Sequence, residues 1–353
     1  MASYIRRRKF LATLLGGAVA TWPLVARAQQ PSQLRRLGVL IGSKWEPDGQ
    51  ARATALVQGL GALNWHEGSN LRIDWRWAGG DTALYERYAA ELVSLHPDVL
   101  LAQGSLPVTL LRRHTNAIPI VFMIVADPLG QGFVETLARP GGNITGFSSF
   151  DPQMTGKWLE MLTQISPPVA RAAVLFDPKT ALYAGLMLRE IEQAARSLAV
   201  AVRAAPCSDY AEVAALMAGL AREERGGLVV LPGVFADIHR PDIIILAARY
   251  RLAGVYPTRE FVASGGMMSY GIDNIDVARR AADYVDRILR GANPAKHVRC
   301  PQPAAVLAWF ATIDRLRCRS AGSRRGKGAV TRQSTDRHIL PDQDDRRHQD
   351  LLS

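Results

Sequence analysis

Short apolar runs alternate with helical patterns along most of this chain, and this alternation constrains the fold more than any other feature. Residues 37–41 are a compact apolar run that predicts a buried strand, and residues 51–63 follow with helical spacing. Residues 71–77 alternate apolar and polar side chains, which predicts a half-exposed strand before a helix over 83–95. Such a succession of strand and helix units predicts an α/β fold with parallel strands and helices on both faces.

The same succession restarts after Ser148, so the sequence predicts two similar α/β lobes. The turn-rich segment 140–146 and the glycine-rich segment 265–271 are the candidate crossings between them. A helix over 275–290 follows the second crossing and could return to the first lobe. The predicted division is an export signal over 1–28, a first lobe over 29–146 plus 267–295, a second lobe over 147–266 and an atypical, disordered basic tail over 296–353.

The first 28 residues have the layout of a bacterial export signal. Basic residues open it, an uncharged run over 11–26 follows, and Ala26 and Ala28 form the small-x-small pattern of a cleavage site. Arg7 and Arg8, with Phe-Leu shortly after them, match much of the twin-arginine pattern. We therefore expect the export machinery as a partner, cleavage behind Ala28, and a periplasmic protein without a stable membrane anchor.

The net charge of +11 is carried by the two ends of the chain and not by its body. Residues 1–28 hold five of the 43 basic residues and none of the 32 acidic ones, and residues 296–353 hold twelve basic and six acidic residues. The body between them is left with 26 of each sign. A neutral body does not favour a nucleic-acid partner. Cys207, Cys300 and Cys318 form no disulfide framework.

Motifs that carry enzyme chemistry are not found in the sequence. It contains no phosphate-binding loop, no zinc-protease motif, no nucleophile elbow and no His/Cys set with metal-ligand spacing. The segment His239–Asp242 indicates only the start of a helix. We therefore predict a protein that is not an enzyme and has no cofactor and no metal.

Candidate binding residues follow the predicted strands, where open α/β sheets bind their ligands. Backbone amides at helix starts suit a carboxylate and an acid suits an amine, so we expect a small zwitterion. Ser43 and Ser105 have an alternative role as helix caps, and Asp127 has one as a turn former. Tyr256 and Tyr270 have an alternative role as half-buried packing. The candidate ligand-binding residues are Ser43, Ser105, Asp127, Ser148, Phe235, Tyr256, Glu260, Tyr270 and Asp273.

A family resemblance is carried by motifs within roughly residues 5–295. The motifs are Ile118–Phe122, Asp127–Pro128, Leu137–Phe147, Lys157–Glu160, Gly265–Gly271 and Tyr284–Gly291. Together they resemble a family of periplasmic substrate-binding proteins of ABC transporters, the group that includes tryptophan- and tyrosine-type binders. The resemblance implies two Rossmann-like lobes of the type I periplasmic-binding fold, hinge closure on a small-molecule ligand, and delivery to the permease subunits of an ABC transporter.

The chain departs from that family after residue 295. The tail is rich in Arg and contains neither Glu nor Tyr, which resembles translation in a shifted reading frame, and only 304–316 has a helical pattern. The leading hypothesis is an exported receptor for an amino acid or a similar small polar ligand. The alternatives are a secreted α/β enzyme of unknown reaction, a transcriptional regulator with the same two-lobed core, and a damaged, non-functional copy of the receptor.

Overall fold

The structure covers most of the predicted body of the protein. The computed structural model describes residues 34–150, 154–165, 167–297 and 306–310. The predicted signal residues Arg7, Arg8, Ala26 and Ala28 lie outside the described residues, and so does most of the predicted tail. Export, cleavage and the state of the tail beyond residue 310 therefore stay predictions.

The first lobe is built on a five-stranded parallel sheet. Its strands are β1 (Arg35–Ile41), β2 (Leu71–Trp77), β3 (Val99–Gln103), β4 (Ile120–Ala126) and β5 (Ile144–Phe150), and its first helices are α1 (Pro47–Ala62), α2 (Thr82–Ser94) and α3 (Ser105–His114). The strand order is β2-β1-β3-β4-β5. The order changes direction at β1, which places the ends of β1 and β3 beside a natural crevice for a ligand.

The second lobe is built on a second sheet with five parallel strands and one antiparallel strand. Its strands are β6 (Arg171–Phe176), β7 (Ala201–Pro206), β8 (Gly226–Val230), β9 (Ala253–Tyr256), β10 (Met268–Ile272) and β11 (Val306–Phe310). The order is β11-β10-β9-β8-β6-β7, with β11 antiparallel to β10. The remaining helices are α4 (Met154–Thr163), α5 (Ala184–Leu198), α6 (Tyr210–Leu220), α7 (Val234–Ile238), α8 (Arg240–Arg249), α9 (Arg259–Ala263), α10 (Asn274–Leu289) and α11 (Pro294–His297).

The sequence pattern of each strand matches its position in the sheet. All five residues of the inner strand β3 are buried, as its continuous apolar run predicts. The edge strand β2 buries Leu71 and Ile73 and exposes Arg72 between them, which is the predicted alternation. Two α/β lobes with parallel sheets are thereby confirmed as the fold class.

The chain crosses between the lobes after β5 and again after β10. Sheet membership differs slightly from the predicted boundaries, because all of β5 belongs to the first sheet and β10 belongs to the second. The helix α10 then returns to the first lobe and packs against α1. The indole nitrogen Nε1 of Trp65 donates to Asp286 Oδ1 at 2.8 Å, which fixes the end of α10 to the loop after α1.

One predicted element of the tail is wrong. The helical pattern over 304–316 is replaced at residues 306–310 by the strand β11, which pairs with β10 from Met268 to Ile272. Five residues of Val, Leu, Ala, Trp and Phe suit a strand better than a single turn of helix, and the open edge of β10 offers them a hydrogen-bonding partner. This part of the predicted disordered tail therefore belongs to the second sheet.

The cores of the two lobes lie between their sheets and helices. Cys207 is buried in the second lobe, and burial raises the pKa of its thiol to about 11.

Within the described residues, every helix is too short or too polar to cross a lipid bilayer.

Candidate functional site

A cleft between the two lobes is the candidate binding site. Its empty volume is about 630 Å³, open solvent included. Its walls come from the carboxyl ends of strands in both sheets, as expected for an α/β fold. The first lobe contributes Tyr85, Gln103, Gly104, Ser105, Leu106, Pro107, Ile124, Ala126 and Asn274, and the second contributes Thr180, Tyr183, Pro232, Gly233, Val234, Asp237 and Thr258.

The start of α3 forms the polar part of the first-lobe wall. Gly104 precedes the helix with a φ of +93°, a conformation that glycine adopts without strain, and no side chain caps the helix start. Pro107 in the first turn has no N–H, so the amides of Ser105 and Leu106 are the donors nearest the cleft. Free amides and the helix dipole at such an end favour a carboxylate.

Polar atoms without partners converge on this wall. Gln103 Oε1, Ser105 Oγ and Asn274 Oδ1 are buried and form no hydrogen bond within the protein. Their residues are only 4–5% exposed. Since a buried polar atom without a partner costs about 1–3 kcal/mol, three of them around one cleft indicate that a ligand or water completes their hydrogen bonds.

The second-lobe wall carries an acid. Burial raises the pKa of Asp237 to about 6, while Arg52 and Arg240 oppose this rise and Glu260 and Asp48 add to it. At neutral pH Asp237 is therefore charged in a site that disfavours its charge. Arg52 and Arg240 compensate this charge only in part, and a ligand ammonium group would compensate it further.

Tyrosine rings from both lobes border the cleft. The Tyr85 hydroxyl donates to the backbone oxygen of Gly42 at 3.0 Å. Burial raises the pKa of Tyr85 and of Tyr183 well above the usual range, and Asp237 adds to the effect at Tyr183. Both rings stay neutral, and with the apolar side chains of the cleft they suit an apolar or aromatic ligand group.

One residue that lines the cleft, Ile124, has a strained backbone conformation. Ile124 has a φ of +55°, which is a rare conformation for a β-branched residue. The register of β4 against β5 shifts between Phe122 and Val125, so Ile124 sits within this irregularity. Such irregularities re-aim side chains next to binding sites, and here Ile124 lines the cleft.

The structure places one of the nine predicted ligand-binding residues, Ser105, on the cleft wall. Ser43 is buried outside the lining and accepts a hydrogen bond from the Arg52 guanidinium at 3.1 Å. Ser148 is buried within β5, opposite Val125.

The three predicted acids have local partners instead of facing the cleft. Asp127 Oδ1 accepts the backbone N–H of Gly130 at 2.9 Å and so closes a turn. Asp273 accepts the amides of the first turn of α10 and caps that helix. Glu260 pairs with Arg259 at 3.6 Å. The alternative turn role therefore describes where the Asp127 side chain lies, whereas the cap role of Asp273 was not predicted.

The three predicted aromatic residues pack within the second lobe and do not line the cleft. Tyr256 stacks on Phe261 with ring centroids 4.9 Å apart, and burial raises its pKa. Phe235 is buried and lies 4.5 Å from the His239 ring. The backbone oxygen of Tyr270 accepts the Trp158 indole N–H at 2.7 Å.

Sequence reasoning missed several lining residues that are adjacent to the predicted ones. Gln103 is the last residue of β3, two residues before the predicted Ser105, and Asn274 directly follows the predicted Asp273. A search for every polar residue at a strand end would have found both. No sequence signal selects Asp237, since its role depends on a cleft that only the fold creates.

Metal ligands do not gather in the described part of the chain. His, Cys, Asp and Glu side chains there form no group of three or more that could hold an ion.

The sequence model of the family described as ABC transporter substrate binding protein matches residues 46–301, which is well over half of the chain. The chain belongs to this family. Members of this family are substrate-binding proteins and not enzymes.

Relatives of this substrate-binding protein are similar over different lengths. A "Tyrosine-binding protein" of Clostridioides difficile is 27% identical over 121 residues, and the match spans 34% of this chain and 34% of that protein. The match therefore covers about a third of the relative's length. A conserved domain protein of Vibrio cholerae is 26% identical, with a TM-score of 0.72 over 79% of this chain and 92% of that one.

A further solved structure shares the fold. It is an ABC domain from Streptococcus pneumonia in complex with L-Trp, with a TM-score of 0.70 and 19% identity. The match covers 77% of this chain and 90% of that one. At this identity, the likeness extends to the two-lobed fold alone.

Proposed function

We propose that this substrate-binding protein is an exported receptor that encloses an amino acid between its lobes and delivers it to an ABC permease. The observation that carries the proposal is the convergence of Gln103 Oε1, Ser105 Oγ and Asn274 Oδ1, all buried and without partners, on the interlobe cleft. These atoms would be costly to bury unless something binds to them.

The chemistry of the walls gives the ligand an orientation. The carboxylate would lie at the start of α3, where the amides and the Ser105 hydroxyl can donate to it. The ammonium group would lie at Asp237, with the Asn274 and Gln103 carbonyl oxygens as further acceptors. The apolar side chain would lie among Leu106, Ile124, Val234 and the two tyrosine rings.

Aromatic amino acids are the first ligands to test. One relative carries the name tyrosine-binding protein, and one structural neighbour was solved with L-Trp. The tyrosine rings and apolar residues of the cleft support a ligand of this kind, because aromatic pairs add about 0.5–1.5 kcal/mol beyond burial.

Binding would act through closure of the lobes. The ligand would contact residues from both lobes, so it would stabilise the closed form that a permease recognises, and no covalent bond would form or break. Val234 of the second lobe approaches Gly42 so closely that a Cβ on Gly42 would lie 2.8 Å from Val234 Cγ2. The two lobes are therefore in contact beside the cleft, and separation of the lobes would widen the entrance for an amino acid.

A titration with L-tryptophan and two truncated analogues tests this proposal. Tryptamine lacks the carboxylate and indole-3-propionate lacks the amine, so each should bind about tenfold or more weakly because one charged contact is lost. L-Tryptophan at 100 times its dissociation constant should stabilise the protein by about 2.7 kcal/mol in thermal unfolding. Equal binding of all three compounds would contradict the proposed orientation, and no binding of any standard amino acid would contradict the ligand class.

Export is tested separately at the first residues. Replacing Arg7 and Arg8 with Lys should block translocation if the twin-arginine route is used. Normal appearance of the double variant in the periplasm would assign the protein to the general secretion route. Mass spectrometry of the exported protein should give Gln29 as its first residue.

A further inference from the structure

Complementary charges face each other across the two lobes beside the cleft. Helix α1 of the first lobe carries Asp48 and Arg52, which are four residues apart and lie on one helix face. The second lobe presents Asp237 at the end of α7 and Arg240 at the start of α8. Arg240 Nη1 lies 2.5 Å from Asp48 Oδ2, so one ion pair joins the lobes directly.

The second pair of charges lies close to the first. Asp237 interacts electrostatically with both Arg52 and Arg240. The Arg52 side chain is nine-tenths buried or more, and its guanidinium donates a hydrogen bond to Ser43 Oγ of its own lobe at 3.1 Å. The Nε atoms of Arg52 and Arg240 are buried and form no hydrogen bond. The four charges balance, so this cluster is not suited to a free ion.

The ion pair is partly shielded from solvent. The Arg240 and Asp48 side chains are 18% and 34% exposed, and the Arg240 guanidinium also lies 5.9 Å from the centre of the Phe261 ring. An ion pair of this kind is stronger than one on an open surface, where the median is about 0–1 kcal/mol. It exists only while the lobes are together, because its two partners belong to different lobes.

We propose that the Asp48–Arg240 ion pair, supported by Arg52 and Asp237, holds the closed form of the protein and sets how long a ligand stays bound. Asp48 and Arg240 are positioning residues, since neither of them lines the cleft. Opening the lobes would expose all four charges to water, so the closed form is stabilised relative to the open form. The inference rests on the proposed function only in requiring lobes that open and close.

The test measures the distance between the lobes directly. Spin labels on the exposed residues Asn116 and Ala211, one in each lobe, report this distance by double electron–electron resonance after the native cysteines are replaced with Ser. Asp48→Asn and Arg240→Gln should each shift the distribution towards longer distances, with and without L-tryptophan. The double variant should shift it no further than either single variant, because the same pair is broken.

The dissociation rate of L-tryptophan gives the second readout. It should rise by about tenfold in either single variant, and high salt should raise it in the native protein but little in the variants. Asp48→Glu and Arg240→Lys keep the charges and should restore much of the native distance. Glu223→Gln is the matched control, since its ion pair with Arg203 at 3.1 Å lies within the second lobe and should leave both readouts unchanged.

The outcomes separate this inference from the proposed function. If L-tryptophan does not bind but the neutral variants open the ligand-free protein, the ion pair acts as inferred and only the ligand is wrong. Distance distributions of Asp48→Asn and Arg240→Gln that equal the native one at low salt, with and without L-tryptophan, would overturn the inference. Additive effects in the double variant would do the same.

Discussion

The two walls of the cleft differ in charge chemistry although they come from lobes of the same architecture. The first lobe offers neutral groups, namely the amides at the start of α3 and the buried oxygen atoms of Gln103 and Asn274. The second lobe offers the carboxylate of Asp237, at the end of the short helix α7. In the proposed complex, similar strand and helix units would thus place opposite ends of a zwitterion on opposite walls.

This difference teaches that neither lobe forms the proposed site alone. A ligand carboxylate on the first lobe and an ammonium group on the second would connect the lobes through one small molecule. Each wall has polar groups that the protein leaves unsatisfied, because the first has buried oxygen atoms without partners and the second has a carboxylate whose charge burial destabilises.

The largest expected effect is on stability, through the acid of the second lobe. Burial raises the pKa of Asp237 to about 6 from the ordinary 3.8, so the folded protein holds this proton more tightly than the unfolded chain. Its contribution to stability is therefore greatest below about pH 4 and is lost as the pH rises to about 6, by roughly 3 kcal/mol at most. Asp237→Asn should lack this dependence.

Thermal unfolding of the native protein and Asp237→Asn between pH 4 and pH 7 checks this prediction. Other carboxyl groups titrate in the same way in both proteins, so the difference between the two melting curves isolates Asp237. The variant should gain stability relative to the native protein as the pH rises. A difference that does not change with pH would mean that the Asp237 carboxyl has an ordinary pKa.

The next largest effect is on ligand affinity. Asp237→Asn should weaken L-tryptophan binding about 100-fold, since a hydrogen bond to a charged group contributes about 1.5–3 kcal/mol. Affinity of the native protein should also fall below about pH 6, as Asp237 gains a proton. Calorimetric titration measures both effects, and the exposed Asp283→Asn is the control. Equal affinity of the native protein and the variant for L-tryptophan would mean that the ammonium group of the ligand does not bind at Asp237.

Changes in the first-lobe wall should have a smaller effect on affinity. Asn274→Ala and Ser105→Ala each remove one neutral hydrogen bond, so each should weaken binding about fivefold to tenfold. Since each also removes a buried polar atom without a partner, the ligand-free protein should not become less stable. Titration and thermal unfolding of the same samples check both statements, with the exposed Asn116→Ala as the control. If the variants bind L-tryptophan with native affinity but are less stable without ligand, the two side chains stabilise the fold and do not contact the ligand.

The smallest effect on binding is expected outside both walls. Asp127→Ala removes the side chain that accepts the Gly130 N–H, so it should destabilise the turn by about 1 kcal/mol. L-Tryptophan affinity should stay at the native value, because Asp127 does not line the cleft. A measurable loss of affinity in this variant would return Asp127 to the candidate ligand-binding residues.

Local patterns predicted the fold well, because each strand and helix has its own periodicity. The alternation in β2 and the buried run of β3 are visible in the sequence and reappear in the structure. The strand β11 was not predicted, because five residues lack a clear period and their pairing with β10 depends on residues far away along the chain.

The candidate site was predicted less well, because a strand end does not show how its polar residues are satisfied. Asp127 and Asp273 follow strands as expected, yet both are used by the nearest backbone amides. Gln103 and Asn274 are unremarkable in the sequence, and only the fold shows that their side-chain oxygens are buried without partners. Asp237 becomes a candidate only when the second lobe faces the first.

A crystal structure of the protein grown with L-tryptophan tests the central claim most directly. The account predicts one molecule in the interlobe cleft, with its carboxylate on the amides of Ser105 and Leu106 and its ammonium group on Asp237. The oxygens of Gln103 and Asn274 should then have hydrogen-bond partners. L-Tryptophan bound elsewhere, or bound in the cleft with its ammonium group away from Asp237, would contradict the account.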